Sequence, residues 1–154
     1  INGLVREGRT LWIATPDGLF HLAGGRLVRH GRAQGLDDPR VRFLHLGRSG
    51  RLLVGTQNGL YERRGGRFAR LGVDSGLPPN LDVTVVRELS DGTLVVGTLA
   101  EQMHLFDGRR WRALGSEQGM PTNAPFFIAE SNGDLWVAGI RGIARVPLSD
   151  LRAF

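Results

Sequence analysis

Leu11-Trp12-Ile13-Ala14-Thr15-Pro16-Asp17-Gly18-Leu19-Phe20 reappears 41 residues later as Leu52-Leu53-Val54-Gly55-Thr56-Gln57-Asn58-Gly59-Leu60-Tyr61. A third copy, Leu94-Val95-Val96-Gly97-Thr98, follows after 42 residues, and a fourth, Leu135-Trp136-Val137-Ala138-Gly139-Ile140-Arg141-Gly142-Ile143, after 41 more. Self-similarity at a fixed spacing of about 40 residues is the mark of a repeat architecture, in which each unit buries its apolar face only against a neighbour.

The flanking segments repeat too. Gly35-Leu36 precedes Pro39, Gly76-Leu77 precedes Pro78-Pro79, and Gly119-Met120 precedes Pro121. Each leads into a β-rich run, Val41 to Leu46, Val83 to Leu89 and Phe126 to Glu130, and each run ends at a tight-turn signal: Ser49-Gly50, Asp91-Gly92 and Asn132-Gly133. One unit therefore reads as strand a (Val41 to Leu46), strand b (Leu52 to Thr56), strand c (Gly59 to Arg63) and strand d (Arg67 to Leu71). This is a four-stranded meander. No stretch keeps a 3.6-residue apolar period, so helical repeats are excluded. Strand length and period fit β-propeller blades, and the fold expected is all-β, with blades over about 1–36, 37–77, 78–120 and 121–154 of a single domain or segment.

Composition agrees. Twenty-three glycines without a three-residue period call for many tight turns. All 20 cations are Arg, interspersed with 15 acidic residues, so the net charge of +5 reads as a solvated surface and no nucleic-acid partner is expected. Cysteine is absent, which excludes disulfides and thiolate chemistry. No apolar stretch approaches the roughly 18 residues of a membrane span, so membrane attachment is expected only through segments outside this chain.

The small residue of strand b (Ala14, Gly55, Gly97 or Ala138) is expected to let neighbouring blades approach closely. Thr15, Thr56 and Thr98 are expected to satisfy nearby backbone groups. Trp12, Trp136 and Trp111 read as blade-to-blade packing.

The succession of a Gly-Leu segment, a Pro-containing loop, an apolar strand, an Asp/Asn-Gly turn and then Leu-Trp-Ile/Val-Gly/Ala-Thr-x-x-Gly-Leu resembles the two-component regulator propeller repeat. Asp91-Gly92-Thr93-Leu94-Val95-Val96-Gly97-Thr98 and Leu11 to Leu19 carry the likeness most clearly. The resemblance implies the extracytoplasmic, periplasmic sensor part of a bacterial receptor. Kinase or diguanylate cyclase output would lie outside this chain, and some relatives sense carbohydrate fragments. Two copies depart from the pattern: Leu99-Ala100-Glu101-Gln102-Met103 carries an extra residue, and Gly139 replaces the Thr.

Alternation of strand direction sends the d–a and b–c loops to one face and the short a–b and c–d turns to the other. Long polar loops place candidate ligand-binding residues on the first face: Asp37, Asp38, Arg40, Asn80, Asp82 and Asn123 from d–a loops, and Glu101, Gln102 and Arg141 from b–c loops. Their mixed donors and acceptors suit a small polar or carbohydrate ligand. Strand a lines the channel of a propeller, which adds Arg42, His45, Arg87, Glu88 and Glu130. No catalytic motif, cofactor or metal site is recognisable, since the four histidines lack metal-ligand spacing. The alternatives are a dimerisation scaffold and a carbohydrate-active propeller enzyme using Glu88 or Glu130. Only Pro147 to Phe154 remain for an outer strand in the fourth blade. The expectation is thus part of a larger propeller completed by self-association or further blades, with a closed four-bladed ring as the alternative.

Overall fold

In the computed structural model, residues 1–100, 102–118, 120 and 124–153 are described. They form four antiparallel sheets in succession. Sheet 1 holds β1 (Gly3–Glu7), β2 (Thr10–Thr15), β3 (Gly18–Ala23) and β4 (Arg26–His30). Sheet 2 holds β5 (Val41–Leu46), β6 (Leu52–Thr56), β7 (Gly59–Arg64) and β8 (Arg67–Arg70), and sheet 3 holds β9 (Val83–Glu88), β10 (Leu94–Thr98), β11 (Met103–Phe106) and β12 (Trp111–Leu114). Sheet 4 has three strands, β13 (Pro125–Ser131), β14 (Asp134–Gly139) and β15 (Gly142–Pro147). Every strand pairs with its sequence neighbour, so each sheet is the expected meander.

The outer strand expected from Pro147 onward is instead a helix, α1 (Leu148–Ala153). Proline cannot donate to a further ladder, and Leu148 and Leu151, three residues apart, fall on one side of a helical turn and are both buried. Asp150 in the first turn and Arg152 in the last complement the helix dipole.

The hairpin turns follow from residues that tolerate left-handed backbone. Gly65 and Gly66 lie at φ 55° and 81°, and Asn132 and Gly133 at 52° and 80°. Consecutive positive φ values match the twist of the flanking strands and select Gly or Asn.

The sheets stack face to face, β1 against β5, β5 against β9 and β9 against β13. Alternation along each strand divides its side chains between the two neighbours. Trp12, Ala14 and Leu19 of sheet 1 meet Leu44, Leu52, Val54 and Tyr61 of sheet 2. Leu53 and Leu60, on the opposite face of sheet 2, meet Val86, Leu94 and Val96 of sheet 3. Val85, Val95 and Met103 then meet Ile128, Leu135 and Val137, with Leu148 and Leu151 of α1 closing that layer. Each fully buried Leu or Val contributes on the order of 1.5–3 kcal/mol, and three such layers hold the molecule together.

The small residues of strand b are where sheets come closest. A Cβ on Gly55 would stand 2.6 Å from Val83 Cγ1, and one on Gly97 would stand 2.5 Å from Pro125 Cγ. The threonines also behave as expected. Thr15 and Thr56 Oγ1 donate to the carbonyls of Gly18 and Gly59, both at 2.9 Å. Thr98 Oγ1 reaches the Gln102 carbonyl at 2.9 Å, one residue further along, which accommodates the longer third loop.

Candidate functional site

On the loop face, the chain between β4 and β5 makes a 3-10 turn at Arg32–Gln34, capped by Gly35, and then delivers Asp37 to Arg40. Leu36 is buried, which anchors the loop and turns Asp37 and Asp38 to different surroundings. Asp38 is 4% exposed, and its Oδ1 accepts from the Arg40 backbone N–H at 3.1 Å and from Arg40 Nε at 2.8 Å. That hydrogen bond and the carboxylate's charge hold the Arg40 guanidinium above its ordinary value, though the group is solvent-exposed. Asp37 is exposed and lines an open cleft of about 400 Å³ with Arg29, His30, Arg32, Gln34 and Pro39.

One strand onward, Arg42 of β5 reaches across to Asp82, ahead of β9, with Nε–Oδ1 at 2.6 Å and Nη2–Oδ2 at 2.9 Å. Arg40 also experiences the charge of Asp82. An Asp–Arg pair within the loop leading into sheet 2 is thus followed by a second pair that ties β5 to the approach of β9. Of the residues expected from sequence, Asp38 pairs with Arg40 and Asp82 with the strand-a residue Arg42, while Asp37 lines the neighbouring cleft.

The others are dispersed. Asn80 and Gln102 are exposed, and the Gln102 carbonyl accepts from both the N–H and the hydroxyl of Thr98. Arg141 is exposed between β14 and β15 and engages a partner. Glu101 and Asn123 lie outside the described residues.

A fastening beneath the loops was missed in the sequence. Arg70 of β8 donates to the carbonyls of Asn58, at 2.6 Å, and Pro79, and to the Tyr61 hydroxyl at 2.7 Å, with its guanidinium over the Tyr61 ring. Burial pushes the Tyr61 hydroxyl up, so it stays protonated. Arg29 of β4, one repeat earlier, donates in the same way to the Asp17 carbonyl at 2.6 Å. The recurrence of Arg29 and Arg70 at the repeat spacing was the signal available.

The strand-a carboxylates are engaged elsewhere. Glu88 Oε2 accepts from the Arg48 backbone N–H at 3.2 Å, and Glu130 Oε2 from that of Ser90 at 2.6 Å. Each braces the a–b turn of the preceding sheet. Among the described residues, no three His, Asp or Glu side chains converge to hold a metal ion.

The opposite face, that of the short a–b and c–d turns, holds a second cleft of about 230 Å³ beneath α1. Leu89, Leu105, Leu148 and Leu151 floor it. Asp91–Arg152, at 3.0 Å, and Asp107–Arg112, at 3.9 Å, rim it. Burial would raise the Asp91 carboxyl, but hydrogen bonds from Thr93 and Arg152 outweigh it and hold the group below its ordinary range. The cleft exists because a helix stands where the repeat would place a strand.

These sheets are propeller blades, and solved structures share the arrangement. The extracellular domains of two proteins described as hybrid two-component systems from B. thetaiotaomicron superpose at TM-scores of 0.79 and 0.72. They align with 93% and 96% of this chain at 20% and 19% identity, and this chain spans 20% of each. Virginiamycin B lyase from Staphylococcus aureus, solved as an inactive variant with quinupristin, aligns with 97% of the chain at 15% identity and a TM-score of 0.74, and the chain spans 53% of it. At such identities the likeness is one of fold. No family model and no curated protein matches the chain. No helix among the described residues is long and apolar enough to cross a membrane.

Proposed function

We propose that the chain is a ligand-sensing segment of an extracytoplasmic receptor domain, which binds a hydroxyl-rich ligand on its loop face without transforming it. The observation that carries this is the succession of the Asp38–Arg40 and Arg42–Asp82 ion pairs along the entry to β5, next in sequence to Asp37 and its cleft. Planar guanidinium donors alternating with carboxylate acceptors match vicinal hydroxyls, and the half-exposed Arg40 can offer N–H groups outward while Asp38 fixes its position. The shared fold with extracellular domains of two-component systems supports placement outside the cytoplasm. An enzyme reading is disfavoured because Glu88 and Glu130, the strand-a carboxylates such an enzyme would use, accept hydrogen bonds that brace turns.

Isothermal titration against neutral and acidic oligosaccharide fragments tests the reading. The expected result is saturable binding without product. Arg40→Ala should weaken it by at least tenfold, in line with about 1.5–3 kcal/mol for a hydrogen bond to a charged group. Absence of binding across the panel, or binding unaffected by Arg40→Ala, would overturn the assignment.

A further inference from the structure

His21 of β3 and His30 of β4 lie on the same side of sheet 1 as Trp12, in the joint with sheet 2. Trp12 is the ladder partner of His21, and His30 stands two residues beyond Val28, the other partner of His21. His21 Nδ1 and His30 Nε2 are 2.6 Å apart, a hydrogen-bond contact with room for one proton. The repeat places Glu62 and Leu71 at the equivalent positions of sheet 2, so the fold itself does not call for this pair.

Trp12 packs on both rings, with centroids at 5.2 and 5.1 Å, and Phe68 of β8 meets His30 edge-on at 5.6 Å. β2 and β8 therefore face the pair with uncharged rings. Arg63 of β7 lies over Trp12 and is ion-paired to Glu7 of β1, whose carboxylate also accepts from Trp12 Nε1 at 3.0 Å. His30 in addition lines the 400 Å³ cleft, with Arg29, Arg32 and Asp37 as its charged neighbours there. Among the described residues His30 Nδ1 finds no hydrogen-bond partner, although it is buried. Protonating both rings would set two N–H groups against each other beside Arg63.

The wall of the cleft hangs from His30. Gly31, next in the chain, accepts at its carbonyl from the Gln34 and Leu36 N–H groups at 2.9 and 3.1 Å. The turn so formed lies against β8, where the Phe68 carbonyl leaves no room for a Cβ on Gly35.

We propose that the His21–His30 pair is a proton-operated latch on the cleft that holds Asp37. While the rings share one proton, the end of β4 stays docked against sheet 2. When both are protonated they part, the turn after His30 loosens and the cleft widens, with Asp37 as the opposite charge available to the released His30 ring. Burial, with His21 and Arg63 beside it, holds His30 below the ordinary histidine value, so the latch is closed at neutral pH and opens as pH falls. The inference does not depend on the ligand reading.

Amide hydrogen exchange at about pH 7.5 and about pH 5 tests the latch, because protection reports local opening. After correction for the intrinsic pH dependence of exchange, the Gln34, Gly35 and Leu36 amides should lose about tenfold or more of their protection at the lower pH, while those of β10 keep theirs. His30→Gln keeps a side-chain N–H for His21 Nδ1 without taking up a proton, and His21→Gln keeps a carbonyl for His30 Nε2–H. Each variant should show the protection of the latched chain at both pH values, with far-UV circular dichroism checking that its sheets persist. In the wild-type chain, nitrogen-15 NMR of the imidazoles should show coupling across the hydrogen bond between His21 Nδ1 and His30 Nε2 at the higher pH and none at the lower. Wild-type protection unchanged with pH, a loss that survives in both glutamine variants, or no coupling at the higher pH would overturn the inference. A turn left loose at both pH values by both variants would reduce the pair to packing and overturn it as well.

Discussion

At the scale of single residues, Gly97 shows how much a composition can say. Glycine in the middle of an apolar strand announces a close approach, but the sequence does not name the approaching atom. The structure supplies Pro125 Cγ at 2.5 Å and Val85 Cγ1 at 2.7 Å from the site of a Cβ, both across or within the joint between sheets 3 and 4. Gly97→Val should therefore separate those sheets and cost about 1–3 kcal/mol by overpacking, read as a lowered urea midpoint with an unchanged m-value. Titration is a second residue-scale property. Burial, joined by the neighbouring His21 and by the charge of Arg63, lowers His30; burial and Arg87 lower His45; burial alone lowers His104. A lowered histidine is neutral in the folded chain while the unfolded chain takes up a proton near 6.5, so this stabilisation is full above that pH and declines below it. Melting temperature should fall as pH drops from 7 toward 5.5, and His45→Gln combined with His104→Gln should flatten that slope. A slope unchanged in the double variant would remove these two groups as its cause. Below about pH 4.5 a further loss is expected, since Glu62 and Asp91 are held below their ordinary range.

At the scale of elements, strands were readable and the last element was not. β5 and β6 span Val41–Leu46 and Leu52–Thr56, as the repeat predicts. Such segments combine two-residue alternation with turn residues at both ends, and three further copies reinforce each boundary. Leu148 to Ala153 has no earlier copy of its own kind, and six residues with two leucines are too few to reveal a helical period. The helix nonetheless seals the third layer. Leu151→Ala should lower stability by about 2–4 kcal/mol through cavity formation and open the 230 Å³ cleft, detectable as a lowered thermal midpoint with the strand signal in far-UV circular dichroism retained. A loss below about 0.5 kcal/mol would show that α1 is dispensable. The candidate site divides along the same line. Placement of Asp37, Asp38, Arg40 and Asp82 on one face followed from strand alternation. Their pairing did not, because a side chain's partner depends on rotamer and loop path: Asp37 and Asp38 are adjacent in sequence, yet Leu36 anchors the turn so that one faces solvent and the other is enclosed by Arg40.

At the scale of the whole molecule, the repeat also decided the order of sheets, because each unit can bury its apolar faces only against its neighbours. The Glu88 and Glu130 braces add one more consequence. Sheet 3 gives a carboxylate to the turn before it and receives one from the sheet after it, through Arg48 and Ser90. A tandem copy of that unit would find both partners already in place, with Glu88 of the copy facing Ser90 of the original. Lengthening the chain by one such duplication keeps both carboxylate braces and adds one new joint, between the two faces of sheet 3. The number of sheets can thus change by whole units while the carboxylate brace between each sheet and the turn before it is kept.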